Sequence, residues 1–227
     1  MSREDKLLAF LEPYISNHKK ELIEEKLGYR TNHLTLILED IYNPHNANAV
    51  VRSCECFGIQ RLNVIEERNE YQLSPNVLQG SLKWIDLQRY NESPGKNMEI
   101  CYEELRANGY RIVATSPKTG STPISKLDVT RPIALVFGTE LEGLTEFAIS
   151  ESDECVHIPM VGFTESFNIS VVAALCMYEL MGKLRKSEIK WGLSNNEIKR
   201  LRLDWYRNSV QRIEVLESEF DKLNKYD

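Results

Sequence analysis

Four short segments place glycine, amide and charged side chains directly after apolar runs, where an α/β sheet would present them at the carboxyl ends of its strands. The first runs from Glu39 to Ser53 and carries His45, Asn46 and Arg52, with Asn46 able to cap a helix and Arg52 nearly two turns further on. The second is Ala114-Thr115-Ser116-Pro117. The third is Phe137-Gly138-Thr139-Glu140-Leu141-Glu142-Gly143-Leu144, whose glycines would let a ligand approach the backbone closely. The fourth is Ile158-Pro159-Met160 through Ser166-Phe167-Asn168-Ile169-Ser170, a strand end, a loop and a helix start. Ligands of open α/β sheets bind at those strand ends, so the four loops should share one crevice. Taken singly, each segment has a plainer explanation. The glycine loop could be a turn, Asn168 a helix cap, Arg52 an exposed helix residue and His45 a structural donor.

The elements that must hold these segments can be read from periodicity. Residues 3–28 form a helix bent or broken at Pro13 and stopped by Gly28. Leu34–Ile41 is the first strand, and a helix from Asn46 to Phe57 ends at Gly58. Strand Arg61–Ile65, a polar stretch around Tyr71–Leu73 and a short strand near Trp84–Leu87 come next. They are followed by helix Met98–Asn108, strands Arg111–Thr115 and Ile133–Phe137, a short helix Glu146–Ser150 and strand Glu154–Ile158. A long helix spans Asn168–Leu184, and Ser194 with Glu197 forms a capping box for a last helix reaching about Leu223. Strands alternating with helices predict an α/β fold with a mostly parallel sheet covered on both faces. The domain reading is a helical extension over 1–30, a core domain over 31–186 and a helical extension over 187–227.

Composition narrows the class. The 227 residues are 42% apolar and 27% charged, which suits a globular domain. No apolar run reaches transmembrane length and the N-terminus lacks a signal pattern, so a cytoplasmic protein with no membrane role is expected. Five scattered cysteines imply no disulfide framework, and the Cys54-x-Cys56 pair has no second ligand pair nearby, so no metal is expected. There is no glycine-rich dinucleotide fingerprint after the first strand, no Walker loop and no nucleophile elbow. The net charge of −6 conceals an asymmetry, because the window 183–212 is +6 and the rest of the chain −12. Such a stripe is either a solvated helix face or a phosphate-binding surface.

In this order and combination the segments resemble the SPOUT superfamily, most closely its SpoU/TrmH branch of tRNA guanosine 2′-O-methyltransferases. Asn46 to Arg52 resembles the first family motif, Gly138 to Gly143 the second, and Ile158 to Ser170 the third. Gly80-Ser81-Leu82-Lys83-Trp84 is similar to a further family segment. The likeness spans roughly Leu34 to Leu184, with Phe167 standing where the family usually has leucine.

The resemblance implies a C-terminal trefoil knot, which general topology rules would argue against, and a homodimer with its active site at the subunit interface. It implies S-adenosylmethionine as cofactor, held near Thr115, Gly138, Ile158, Met160 and Phe167. Arg52, Asn46, Glu140, Ser166 and Asn168 would be the catalytic set. His45, Lys83, Lys183, Arg185, Lys186, Lys190, Lys199, Arg200 and Arg202 would contact tRNA. The implied reaction is 2′-O-methylation of a ribose in tRNA, with the D-loop guanosine expected as target. An enzyme of ribosomal RNA or of the anticodon loop, or a non-catalytic RNA-binding protein on the same scaffold, are the alternatives.

Overall fold

A computed structural model describes residues 2–71, 80–117, 120–164 and 166–224. By internal contacts they divide into two compact units. One is Thr31–Trp191; the other joins the chain up to Arg30 with the chain from Gly192 onward.

The larger unit is built on a parallel sheet. Its strands are β1 (Leu34–Glu39), β2 (Arg61–Ile65), β3 (Asp86–Tyr90), β4 (Arg111–Thr115), β5 (Thr122–Pro123), β6 (Ile133–Phe137) and β7 (Glu154–His157). They lie in the order β3-β2-β1-β6-β4-β7-β5, and every pairing is parallel. Two late strands, β6 and β7, are thus inserted between earlier ones. β1 is buried along its whole length, as the continuous run Leu34–Leu38 requires of a strand covered on both faces.

Residues two apart on a strand share a face, and this parity sorts the core. Leu36, Leu38, Leu135 and Phe137 pack with α3 (Pro44–Phe57) and α6 (Ile169–Lys186), through Val50, Val51, Cys54, Met177 and Leu180. Ile37, Ala134 and Val136 face the opposite side and pack with α4 (Asn97–Ala107) and α5 (Glu146–Ser150), through Cys101, Tyr102, Leu105 and Ala148. Burial of each such aliphatic side chain contributes roughly 1.5–3 kcal/mol. Of the Cys-x-Cys pair, Cys54 is buried with its thiol 3.9 Å from the Met177 sulfur, and Cys56 is exposed.

The smaller unit holds α1 (Arg3–Leu11), α2 (Asn17–Leu27), α7 (Asn195–Ser209) and α8 (Ile213–Leu223). The expected interruption at Pro13 is a single 3-10 turn, Glu12–Tyr14. The Ser194–Glu197 capping box is formed.

Several element ends differ from the sequence reading by one or two residues, as β1 does in stopping at Glu39, and three differences change what a named residue or element does. The α3 helix begins at Pro44, two residues earlier, and its cap is Asn43, whose side chain accepts from the His45 N–H; Asn46 is therefore inside the first turn and not the cap. The third strand lies at Asp86–Tyr90, because Ser81–Trp84 forms a 3-10 turn. The last helix is two helices: Val210 is extended and Arg212 has φ +54°. In one unbroken helix, Arg207 and Glu217 would stand about 15 Å apart along the axis. The turn lets them pair at 2.7 Å and buries Phe220 against Phe10, with ring centroids 5.5 Å apart. Of the polar stretch expected at Tyr71–Leu73, everything after Tyr71 lies outside the described residues.

Candidate active site

The register of the sheet builds the site. Leu38 pairs with Phe137, Ala114 with Val136, and Thr115 with Val156, so β4, β6 and β7 end level with one another. The loops that follow them enclose a cavity of about 420 Å3. That volume lies in the range of roughly 300–1,000 Å3 usual for small-ligand sites. Its wall includes Thr115 from β4, Gly138 and Glu140 after β6, and Ile158, Met160 and Phe167 after β7. All five residues expected to hold a cofactor therefore face one space. Ser166 lines it as well.

Thr115 donates its hydroxyl to the Val136 carbonyl at 2.7 Å, which ties the ends of β4 and β6 together. The loop Thr139–Gly143 closes on itself through reciprocal backbone bonds, Thr139 N–H to Gly143 O at 3.1 Å and Gly143 N–H to Thr139 O at 3.0 Å. Gly138 is packed so closely on this loop that an added Cβ would lie 2.2 Å from the Gly143 carbonyl oxygen. The floor is apolar, with Cys176 of α6 burial-shifted so that its thiol is pushed up to about 12.

Three of the segments singled out by sequence meet through a single chain of amides. The Asn168 side-chain N–H donates to Asn46 Oδ1 at 3.1 Å, and Asn46 Nδ2 donates to Glu140 Oε1. Asn168 also caps α6, its Oδ1 accepting from the Ser170 N–H at 2.9 Å. One side chain thus caps the helix through its oxygen and reaches Asn46 through its nitrogen. Glu140 Oε2 is buried and has no hydrogen-bond partner among the described residues. A buried acceptor without a donor is costly, and here it belongs to a residue lining the cavity. A ligand with hydroxyl or amino donors would satisfy it. This orphaned oxygen, together with backbone edges at Gly138 and Ile158 and the apolar floor, fits the ribose, amine and adenine of S-adenosylmethionine.

Asn46→Ala removes both bonds of the chain and leaves the Glu140 carboxylate with neither partner. We expect a loss of roughly 1–3 kcal/mol in stability, read by thermal unfolding, with weaker cofactor binding by calorimetry. Unchanged values for both would show that the chain of amides carries no weight.

Other expected residues are placed differently. Arg52 does not line the cavity. It is exposed on α3 and makes no hydrogen bond or ion pair among the described residues, sharing an outer face with His45 and Cys56 at helical spacing. Lys83 is exposed on the 3-10 turn before β3.

The basic stripe is split between the two units, and much of it is engaged within the chain. Lys183 donates to the Ser125 carbonyl at 3.0 Å and also to that of Leu127, and Arg185 donates to the Phe57 carbonyl at 3.0 Å. Lys199 pairs with Asp5 at 2.6 Å, and Arg202 donates to Glu24 at 2.7 Å. Lys186, Lys190 and Arg200 are exposed.

His157, Leu141 and Glu142 also line the cavity and were not expected there as ligand contacts. His157 ends β7 and its Nδ1 lies 2.7 Å from the Ser121 hydroxyl. The sequence signal for it is its position beside Ile158 at a strand end.

Residues 33–178 match the family model described as the SpoU rRNA Methylase family. Over 213 residues the chain is 41% identical to a tRNA (guanosine(18)-2′-O)-methyltransferase of Borreliella burgdorferi, covering 94% of this chain and 95% of that one. An enzyme of the same name from Thermus thermophilus is 29% identical over 77% of this chain and 86% of its own length. Among solved structures, the TrmH/SpoU tRNA modifying enzyme of A. aeolicus superposes with a TM-score of 0.74 at 26% identity, over 86% of this chain and 98% of that one. The AviRb methyltransferase of Streptomyces viridochromogenes in complex with AdoMet gives 0.60 at 26% identity, over 72% and 65%. With well over half of its length matched by the family model, and with the motif segments gathered around one cavity, the chain belongs to the SpoU methylase family.

Proposed function

We propose that this chain transfers a methyl group from S-adenosylmethionine to the ribose 2′-hydroxyl of guanosine 18 in tRNA. The observation that carries the reading is the chain Asn168–Asn46–Glu140, which joins three family motifs beside a nucleoside-sized cavity. The enzymes it resembles over nearly its whole length are named for this reaction.

When bound, the cofactor supplies an electrophilic methyl on a sulfonium, which leaves as a neutral thioether. The residues of this chain have the other half of the task, to orient a weakly acidic ribose hydroxyl and draw off its proton. Thr115, Gly138, Ile158, Met160 and Phe167 would hold the cofactor through backbone groups and apolar contacts. Glu140, Ser166 and Asn168 would position the nucleotide, with the free Glu140 oxygen also receiving a cofactor hydroxyl or amine. A guanidinium with a pKa above about 12 is a poor base. Arg52 therefore binds the substrate phosphate, and the phosphate–guanidinium pair polarises the hydroxyl.

Arg52 is exposed and does not line the cavity of its own chain, and a second copy would complete the site. The α6 residues Val171, Leu175 and Tyr178 support this homodimer, because they are exposed apolar side chains on one helix stripe, with Phe57 edge-on to Tyr178. The insertion of β6 and β7 between earlier strands supports a trefoil-knotted C-terminal part. A tRNA substrate supports a cytoplasmic location. Among the described residues no helix is long and apolar enough to cross a membrane.

Lys186 and Lys190 are exposed and have no partner among the described residues. If they neutralise phosphates, Lys186→Ala and Lys190→Ala each reduce the salt slope of tRNA binding by about one. Slopes equal to the parent's would return both lysines to a solvated face. The reaction itself is tested by incubating the protein with methyl-labelled cofactor and unmodified tRNA and mapping the label. Label at guanosine 18 is expected; label confined to ribosomal RNA or to the anticodon loop would overturn the substrate.

A further inference from the structure

The loop that carries Glu140 is pinned from two directions. On one side Asn46 of α3 donates to Glu140. On the other, two residues along, Glu142 Oε2 receives Arg68 Nη2 at 2.9 Å. Arg68 stands in the turn that follows β2, and that turn is organised by one buried carboxylate. Asp40 lies just past the end of β1, is 2% exposed, and adopts φ +52°, a left-handed conformation uncommon for a residue with a side chain. Its Oδ1 accepts from the backbone N–H groups of Glu67 at 2.8 Å, Arg68 at 2.9 Å and Asn69 at 3.3 Å. Its Oδ2 accepts from Arg68 Nε at 3.3 Å, and its carbonyl from the Asn69 amide at 3.2 Å.

The guanidinium is therefore not a freely swinging surface charge. Asp40 fixes its backbone and bonds its Nε, and its Nη2 bonds Glu142. A planar guanidinium can engage two carboxylates through different nitrogens at once, which a lysine ammonium does with far less directional control. The consequence is a strut from the end of β1, across the turn after β2, to the tip of the loop after β6. Glu142 lines the cavity, and so do Glu140 and Leu141 beside it.

We propose that Arg68, set by Asp40, is a positioning residue for the cofactor-binding loop Thr139–Gly143: it holds the loop through Glu142 so that Glu140 and the backbone of Gly138 keep the geometry that a bound cofactor needs. The proposal rests on the reading of the cavity as the S-adenosylmethionine site. Arg68 and Glu142 are both more than half exposed, and exposed ion pairs contribute little to global stability. The strut acts on loop geometry rather than on folding.

The test uses the whole chain with Arg68→Ala, Glu142→Gln and the double variant. Calorimetry with S-adenosylhomocysteine is expected to show affinity weakened roughly five- to tenfold in each single variant, with the double variant no worse than either. Melting temperatures should match the parent, and Arg68→Lys should fall between parent and alanine. Hydrogen exchange in ligand-free protein gives a readout independent of any cofactor. The amides of Thr139 and Gly143, which bond to each other across the loop, should exchange several-fold faster in Arg68→Ala. Parent-like affinity in Arg68→Ala, effects that add in the double variant, or unchanged exchange at these amides would each overturn the strut. A parent protein that binds no cofactor while its Arg68→Ala form shows faster exchange would instead overturn the reading of the cavity.

Discussion

Arg52→Ala is expected to lower the rate of methyl transfer by roughly two to four orders of magnitude while leaving cofactor affinity and melting temperature at parental values. The separation follows from where the side chain is. Arg52 makes no hydrogen bond or ion pair among the described residues that the fold would lose, and it takes no part in lining the cavity. Its removal leaves the core and the wall of the cavity untouched. What disappears is a cation able to pair with a phosphate beside the attacking hydroxyl, an interaction that gains strength as charge develops on that oxygen. Arg52→Lys keeps the charge but not the forked geometry, and should restore a small part of the rate. Single-turnover assays with saturating tRNA, set beside calorimetry with S-adenosylhomocysteine, distinguish the two quantities. An Arg52→Ala protein that has lost cofactor affinity and unfolds early would assign Arg52 to the fold instead.

Gly138→Ala should do the reverse and destroy the site from within. The added methyl would meet the Gly143 carbonyl oxygen at 2.2 Å, its carbon at 2.3 Å and the Leu144 nitrogen at 2.4 Å. All three are backbone atoms, so no side-chain rotation relieves the clash, and the loop must move as a unit. Overpacking of this kind costs typically about 1–3 kcal/mol. The displaced loop is the one that carries Glu140 and shapes the cavity. A lowered melting temperature with cofactor binding reduced beyond detection is expected, measured by scanning calorimetry and titration on the same preparation. Parental binding in Gly138→Ala would mean that the loop is free to shift and that its closeness to Gly138 is incidental.

The parts of this molecule that sequence made legible are those governed by local patterning. Apolar runs bounded by turn residues located β2, β4 and β6 at their observed limits, and glycine marked the end of α3. The Ser194–Glu197 capping box was readable because both of its bonds are made within three residues. What escaped depends on partners distant in sequence. Nothing at Val210–Arg212 announces a break, for no glycine or proline stands there; the turn exists because it buries Phe220 and joins Arg207 to Glu217. Asn46 reads as a cap because asparagine before a helical run usually is one, yet Asn43 with Pro44 behind it starts the helix two residues sooner and frees Asn46 to reach Glu140, 94 residues away.

The site shows the same division. Its segments could be named from sequence because each sits at a strand end, and the parallel register gathers strand ends on one side. The contact of Asn168 with Asn46 could not be inferred from spacing, since it depends on α6 packing against α3. The lysines and arginines of the 183–212 window were legible as charge but not as surface. Lys183 spends its ammonium on backbone carbonyls, and Lys199 and Arg202 face carboxylates brought to them by tertiary folding. Formal charge in a helix face is thus an upper bound on what remains for a nucleic acid.

The most direct test of the central claim is methyl transfer to two synthetic tRNAs that differ in one oxygen. One carries guanosine at position 18 and the other 2′-deoxyguanosine, with methyl-labelled cofactor present in both reactions. Label incorporated into the first and absent from the second is the predicted result. Equal incorporation into both would contradict it, by placing the methyl on a base or on another nucleotide.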